Sequence, residues 1–336
     1  MKAIVFEGPQ NVQMRMLPRP DIEEGYVVIQ TAYAGICGTD LNIFAGSHPR
    51  AKAPLVLGHE FSGILASEHP AIPLGTYVTI NPLLACGICG ACKTGSGHVC
   101  ETLQLVGIDM DGGMSELVKV PNHCVVQLPS NVPLKRGALS EPVAVAVHAA
   151  RQGGYKPGDS VAIFGAGTIG LCLAFTLRQF GCMNLTIFET NERRIAKASE
   201  FGFHAVNPIQ GNIMKKLNDA TKDNGFDFVF DCAGHPAVLP MITEIIKVKG
   251  TVVIVAAYKK PAELNLLQGM FKELSIQFVR VYTPEDFAIA LTLLGRSDEM
   301  EQIITNVYPP EKAAFGFEEL LGQTGAIKIL YEFMER

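Results

Sequence analysis

The sequence predicts an α/β chain in two parts: a β-rich, barrel-like domain and a doubly wound parallel sheet. Three observations carry this reading. Val161-Ala-Ile-Phe164 is an apolar run that enters the glycine-rich turn Gly165-Ala-Gly167-Thr168-Ile169-Gly170, and a second apolar stretch follows from Leu171 to Leu177. Apolar runs and helix-like segments then alternate as far as Val281. Residues 1–34 behave differently, with short alternating runs cut by Pro18, Pro20 and Gly25. At 336 residues the chain exceeds one ordinary core, so two domains are expected, 1–150 with 284–336 and 151–283.

Composition narrows the class. An apolar content of 48% with 18% charged residues suits a soluble globular enzyme. A net charge of −5 argues against a nucleic-acid partner. No apolar run approaches the ~20 residues that span a bilayer, and the opening Met1–Pro9 is too short an apolar stretch for a signal peptide. A cytoplasmic protein with neither a membrane nor a nucleic acid as partner is therefore expected. Nine cysteines are an odd number, and five stand in metal-like spacings, which in a reducing compartment points to thiolate ligands.

Taken in order, Lys2–Phe6, Val12–Met16 and Tyr26–Ala34 read as strands. Gly35-Ile-Cys37-Gly-Thr39-Asp40 follows. Cys37 alone reads as a core thiol. Together with Gly58-His59-Glu60 it supplies the thiol, imidazole and carboxylate that a catalytic zinc takes while keeping one position open. Cys86-Gly-Ile-Cys89-Gly-Ala-Cys92, closed by Cys100, can complete a tetrahedral thiolate shell. An iron–sulfur cluster is the competitor, but the fourth cysteine comes after seven intervening residues and lacks the Cys-Pro ending of that motif. Zinc in a closed, structural role is favoured. Leu105–Ile108, Ser115–Val120 and Cys124–Leu128 continue the β domain. Glu141 heads an apolar run from Val143 to Ala150, where a buried carboxylate is costly without a cation or N–H partner.

In the second domain Gly165 takes the sharp turn, Gly167 leaves room for a pyrophosphate and Gly170 lets helix and strand pack closely. Thr168 and Ile169 open a helix whose free N–H groups face the phosphates. A second strand, Asn184–Phe188, ends at Glu189, 19 residues past Gly170, where an acid would accept hydrogen bonds from a ribose diol. That charge favours NAD over NADP, although Arg193 and Arg194 follow and an arginine can accept a 2′-phosphate. Further strands are expected at Phe226–Asp231, Thr251–Ala257 and Leu274–Val281, with a helix over 236–248. Thr283-Pro-Glu-Asp286 is a helix start.

These motifs resemble the zinc-dependent medium-chain dehydrogenases of the alcohol, sorbitol and threonine dehydrogenase family. The carrying residues are Gly35–Asp40, Gly58–Glu60, the cysteine quartet, Ser140-Glu141-Pro142 and Gly165–Gly170, and the match extends over essentially the whole chain. Glu141-Pro142 with Glu60 resembles the polyol and sugar-acid branch. The resemblance implies a GroES-like catalytic domain and a Rossmann domain, assembled as a homodimer or homotetramer. It implies that Cys37 and His59 hold a catalytic zinc, that Glu60 and Glu141 compete for the next position, and that Thr39 passes the substrate proton outward. Asn42 departs from the family by replacing a relay histidine and cannot act as a base; His48 is a substitute to consider. The activity implied is NAD-dependent interconversion of a secondary alcohol, a polyol or sugar acid, with its ketone. The alternatives are a threonine-type amino-alcohol dehydrogenase and a non-catalytic NAD-binding protein.

Overall fold

The computed structural model describes residues 1–210, 225–322 and 324–334. The chain divides into two compact units, Met1–Ala144 with Tyr282–Arg336, and Val145–Val281.

In the first unit, strands rich in β-branched and aromatic residues pair mostly antiparallel; Ile304–Tyr308 and Lys328–Glu332 are a parallel pair. Lys2–Gly8 pairs with Asn11–Met16 on one side and Leu55–Val56 on the other. The larger sheet runs Val125–Gln127, Tyr77–Ile80, Glu60–Leu65, Tyr26–Gly35, Lys328–Glu332, Ile304–Tyr308, and Leu117–Pro121 also pairs with Tyr26–Gly35. Ile29, Phe61, Val78, Val120 and Ile329 are buried in this unit, and each such side chain contributes about 1.5–3 kcal/mol by leaving water. Tyr26–Gly35 is the hub strand of this sheet. Its last residue, Gly35, lies opposite Glu60 on one neighbour and Leu330 on the other. A Cβ at Gly35 would stand 2.6 Å from Lys328 Cε and 2.9 Å from Glu60 Oε2, so only glycine leaves room for those two side chains.

The second unit is a six-stranded parallel sheet. Numbered along the chain, its strands are Ser160–Phe164, Asn184–Phe188, His204–Val206, Phe226–Asp231, Ile246–Ile254 and Ser275–Phe278, and their spatial order is 3-2-1-4-5-6. That is the order of a doubly wound dinucleotide-binding sheet. The central strands are buried on both faces, which is why they read as continuous apolar runs. Phe164, Phe188, Phe226, Val229 and Ile242 form the core, with Phe164 and Phe188 stacked at 4.9 Å between ring centroids. Asn191 caps the helix Glu192–Glu200 by accepting the N–H groups of Arg193 and Arg194.

Three expectations shift. The helix expected over 236–248 is Val238–Ile245, and the fifth strand begins at Ile246 rather than Thr251. Ile246-Lys-Val-Lys alternates apolar and polar with β-branched residues, a period of two that a helix cannot use. The register against the fourth strand slips between Phe226, opposite Ile246, and Phe228, opposite Thr251, and Lys249 at φ 62° lies within that slip. The strand expected at Leu105–Ile108 reduces to Gln104–Leu105, paired with Leu83–Leu84.

Candidate active site

Two segments of the first unit converge. Cys37 is the N-cap of the short helix Gly38–Phe44, just beyond the hub strand, and Thr39 is that helix's second residue. His59 immediately precedes the strand that Glu60 opens. One ligand atom from each of Cys37, His59 and Glu60 lies within 4.8 Å of the others. His59 and Glu60 are buried and Cys37 is half-buried. Glu141, the second residue of the helix Ser140–Gly153, is buried nearby but falls outside this cluster.

The surroundings explain how the cluster is held. Asp40 is wholly buried, and one of its oxygens accepts the Cys37 N–H at 2.8 Å. Its other oxygen, Oδ1, faces His59 Nδ1 at 3.8 Å, and neither atom has a hydrogen-bond partner among the described residues. A carboxylate behind an imidazole orients a metal-ligating histidine. Lys328 donates to the Ile36 carbonyl at 2.8 Å and forms a buried ion pair with Glu60. Burial pulls the Lys328 ammonium down to about 8, against the pull of Cys37 and Asp40. Burial, and then the Asp40 charge, pushes the Cys37 thiol up to about 11, so a cation is needed to make it a thiolate near neutral pH. Thiol, imidazole and carboxylate with orphaned polar atoms behind them fit a catalytic zinc.

The four-cysteine lobe fits a closed zinc shell. Cys86 Sγ lies 4.0 Å from Cys92 Sγ, and Cys89 Sγ lies 3.9 Å from Cys100 Sγ. A tetrahedron of sulfurs about 2.3 Å from zinc has edges of about 3.8 Å, whereas a disulfide needs ~2.05 Å. The backbone N–H groups of Ile88 and Cys89 pull the Cys86 thiol down to about 6, preparing it as a thiolate.

In the second unit the glycine-rich turn has the predicted form. Gly165 stands at φ 99°, and a Cβ on Gly170 would lie 1.9 Å from the Gly165 carbonyl oxygen. Gly167 is open: among the described residues only Arg194 Nη1 is near, at 3.9 Å from where a Cβ would be. Thr168 and Ile169 open the helix Thr168–Gln179. Glu189 follows the second strand, and its carboxylate accepts the N–H groups of Ala166 at 2.8 Å, Thr190 at 2.7 Å and Asn191 at 2.9 Å.

Two residues at the metal cluster had no role assigned from sequence: Asp40 and Lys328. The available signal for Lys328 was a lysine inside an otherwise apolar run, Ala326–Tyr331. His48 Nδ1 accepts the N–H groups of Arg50 at 3.3 Å and Ala51 at 3.2 Å, so that nitrogen is occupied by its own loop.

A parallel dinucleotide sheet, an open Cys-His-Glu cluster and a closed lobe of four cysteines define a zinc-dependent, nicotinamide-using oxidoreductase. Residues 23–130 match the alcohol dehydrogenase GroES-like domain, and residues 168–296 match the zinc-binding dehydrogenase domain. The chain is 32% identical over 315 residues, 92% of each chain, to the 2-dehydro-3-deoxy-L-galactonate 5-dehydrogenase of Pseudoalteromonas atlantica. It is similar to the crystal structure of 2R,3R-butanediol dehydrogenase from Bacillus subtilis, with TM-score 0.91, 28% identity, and 98% and 99% of the two chains covered. It is also similar to an Escherichia coli CFT073 alcohol dehydrogenase (rspB) complexed with NADH, with TM-score 0.90, 28% identity and 99% of both chains covered. The chain belongs to the zinc-containing medium-chain alcohol dehydrogenase family. It is an oxidoreductase acting on CH–OH groups, with a GroES-like domain, a Rossmann domain, a catalytic and a structural zinc site, and a nicotinamide cofactor.

Proposed function

We propose that this chain reversibly oxidises a secondary alcohol of a polyol or sugar acid to the ketone, with NAD as hydride acceptor. The observation that carries the reading is the buried Cys37–His59–Glu60 cluster. The substrate class draws support from two relatives, whose names specify a deoxy-galactonate derivative and a butanediol.

Zinc, when bound, supplies a Lewis acid that lowers the pKa of a hydroxyl on it, as metal-bound water falls from about 15.7 to ~7, and NAD supplies the hydride acceptor. The remaining work belongs to the chain. Cys37, His59 and Glu60 would hold the metal, with Glu141 as a second carboxylate beside it, and Asp40 would keep the imidazole in one orientation. Thr39, on the helix that Cys37 caps, would take the hydroxyl proton and pass it on. Asn42, one turn further, cannot accept it, so its outward route runs through water or the cofactor ribose. Gly165, Gly167, Thr168, Ile169 and Gly170 would present backbone N–H groups to the pyrophosphate, with Arg194 beside the open Gly167. Glu189 would bind the ribose diol. Its charge is fixed in place by three N–H donors, where a 2′-phosphate would be repelled, which supports NAD over NADP.

The test mixes zinc-loaded enzyme and NAD or NADP with a panel of polyols, sugar acids and amino alcohols, and follows absorbance of the reduced cofactor. Turnover confined to amino alcohols would replace this reading with the threonine-type one. A flat trace throughout would leave a cofactor-binding protein without turnover.

We further propose a homodimer or homotetramer. The sixth strand, Ser275–Phe278, is a sheet edge, and Phe278, Phe271, Met270, Leu266 and Leu267 are exposed on or near it. An open strand edge beside a large apolar patch calls for a covering partner. Sedimentation of the native protein and of Phe278→Lys checks this; a native monomer would refute it. None of the nine cysteines forms a disulfide, which supports a reducing, cytoplasmic compartment. No described helix is long and apolar enough to cross a membrane.

A further inference from the structure

The parallel sheet of the second unit reverses its strand order between its first strand, Ser160–Phe164, and its fourth, Phe226–Asp231, which lie side by side. In such a sheet a dinucleotide lies across the crevice beyond the carboxyl ends of the strands at that point, and each half of the sheet takes one mononucleotide. The acid after the second strand marks the adenosine half, which leaves the fourth to sixth strands for the nicotinamide half. The loop after the fourth strand, Cys232–Gly234, packs directly on the glycine-rich turn. The Cys232 N–H donates to the Phe164 carbonyl at 2.9 Å, and a Cβ on Gly165 would stand 3.3 Å from the Ala233 nitrogen.

Asp231, the last residue of the fourth strand, is wholly buried and holds two loops at once. Its Oδ1 accepts the N–H groups of Ala233 at 2.9 Å and Gly234 at 3.0 Å, a local turn that aspartate makes readily. Its carbonyl accepts the N–H groups of Val255 at 3.0 Å and Ala256 at 2.9 Å, just past the fifth strand. Its Oδ2 accepts the Tyr258 hydroxyl at 2.6 Å, from 27 positions further along the chain. The same hydroxyl lies 3.4 Å from the His235 carbonyl. Gly234, at φ 63°, lets the two loops meet, since a Cβ there would stand 3.0 Å from the Cβ of Ala256.

A local turn accounts for Oδ1 but not for Oδ2. Tyr258 is half-buried on the core of the unit, and its ring also lines a cavity of about 450 Å³ with Leu239, Ile254 and Ile276. Packing leaves this ring room to move, so its hydroxyl is what ties it to the fourth strand. We propose that Tyr258 is a positioning residue for the cofactor: its hydrogen bond to Asp231 holds the loop after the fifth strand, Val255–Tyr258, against the loop after the fourth, and so sets the wall on which the nicotinamide end of NAD rests. The proposal rests on the dinucleotide reading of this unit and is independent of the metal and of the substrate.

The test measures binding to the full-length protein, without turnover, of two probes that fill different lengths of the crevice. NADH spans both halves, whereas ADP fills only the adenosine half and the pyrophosphate position. Fluorescence titration follows NADH, and calorimetry follows ADP. Tyr258→Phe keeps the ring and removes the hydrogen bond. It should weaken NADH binding roughly tenfold, the order of one hydrogen bond to a carboxylate, and leave ADP affinity native. Unchanged NADH affinity would overturn the proposal. Equal losses for NADH and ADP would also overturn it, since the substitution would then have disturbed the nucleotide domain as a whole. A second readout needs only the native protein. NADH should slow amide exchange across Val255–Lys259 beyond the level reached with ADP, and equal protection by the two would overturn the proposal whether or not Tyr258→Phe folds. A native protein that binds neither probe would defeat the dinucleotide reading itself.

Discussion

Lys328 and Glu60 form an ion pair at the heart of the first unit, with side chains 0% and 1% exposed. The pair joins the last strand of the chain to the strand that carries a metal ligand. Gly35 makes room for it, and the Ile36 carbonyl takes a second lysine proton. Removing one partner of such a pair leaves an uncompensated buried charge. Lys328→Met should therefore cost about 3–5 kcal/mol of stability, read as a lowered midpoint in denaturant. Glu60→Gln added to it should recover part of that loss. With the metal removed from both, a Lys328→Met protein as stable as the native one would show that Glu60 carries no charge there.

The glycine-rich turn predicts two different failures. A methyl at Gly170 collides with the Gly165 backbone carbonyl, so the turn itself must move. Gly170→Ala should lower stability by about 1–3 kcal/mol and weaken NADH binding together. A methyl at Gly167 meets nothing closer than 3.9 Å among the described residues. Gly167→Ala should keep the native melting temperature and lose NADH affinity alone. Fluorescence titration with NADH beside thermal melts separates the two, and equal effects would refute the assignment of Gly167 to the pyrophosphate.

Metal content distinguishes the two zinc sites. The native chain should carry about two zincs and Cys92→Ser about one, because a closed site with four protein ligands tolerates the loss of none. The lost ion is the structural one, so the segment around Cys86–Cys100 should become protease-sensitive while the ligand cluster at Cys37 is untouched. Atomic absorption with limited proteolysis checks this; loss of both ions would show that the sites are coupled.

Acid sensitivity should include a contribution from Asp227. Burial works to raise this carboxyl, but Lys247 and the Ser160 N–H and hydroxyl outweigh it and hold it below its usual 3.8. A carboxyl that ionises more readily when folded adds stability that is present above 3.8 and lost as pH falls through its lower folded value. The two side chains of the ion pair are 40% and 20% exposed, so the contribution is below about 1 kcal/mol. Asp227→Asn should flatten the slope of stability against pH in that acid range and leave it unchanged near pH 7. An unaltered slope would show that the contact is worth nothing in solution.

Much of the site was legible in sequence because its ligands come in short local spacings. Cys86, Cys89 and Cys92 announce themselves within seven residues, and Gly165–Gly170 within six. Cys37 and His59 lie 22 residues apart, yet each sits in a recognisable turn. Lys328 was out of reach: it lies 268 residues from Glu60, and nothing local says that a lysine in an apolar strand will be neutralised rather than exposed. Asp40 was likewise visible as a residue but not as a neighbour of His59. The fifth strand was begun too late for a related reason, since four alternating residues beside a helix are too few to mark a strand until the partner strand is known.

Sequence alone determined the zinc donors, the nucleotide turn and the two-part α/β plan, because each is written in residue types at fixed short spacing. Tertiary structure alone decided which carboxylate joins Cys37 and His59, and which distant group pairs with it. The reason is physical: ligand chemistry and turn geometry are local properties of the chain, whereas the balance of buried charge depends on groups that only folding brings together.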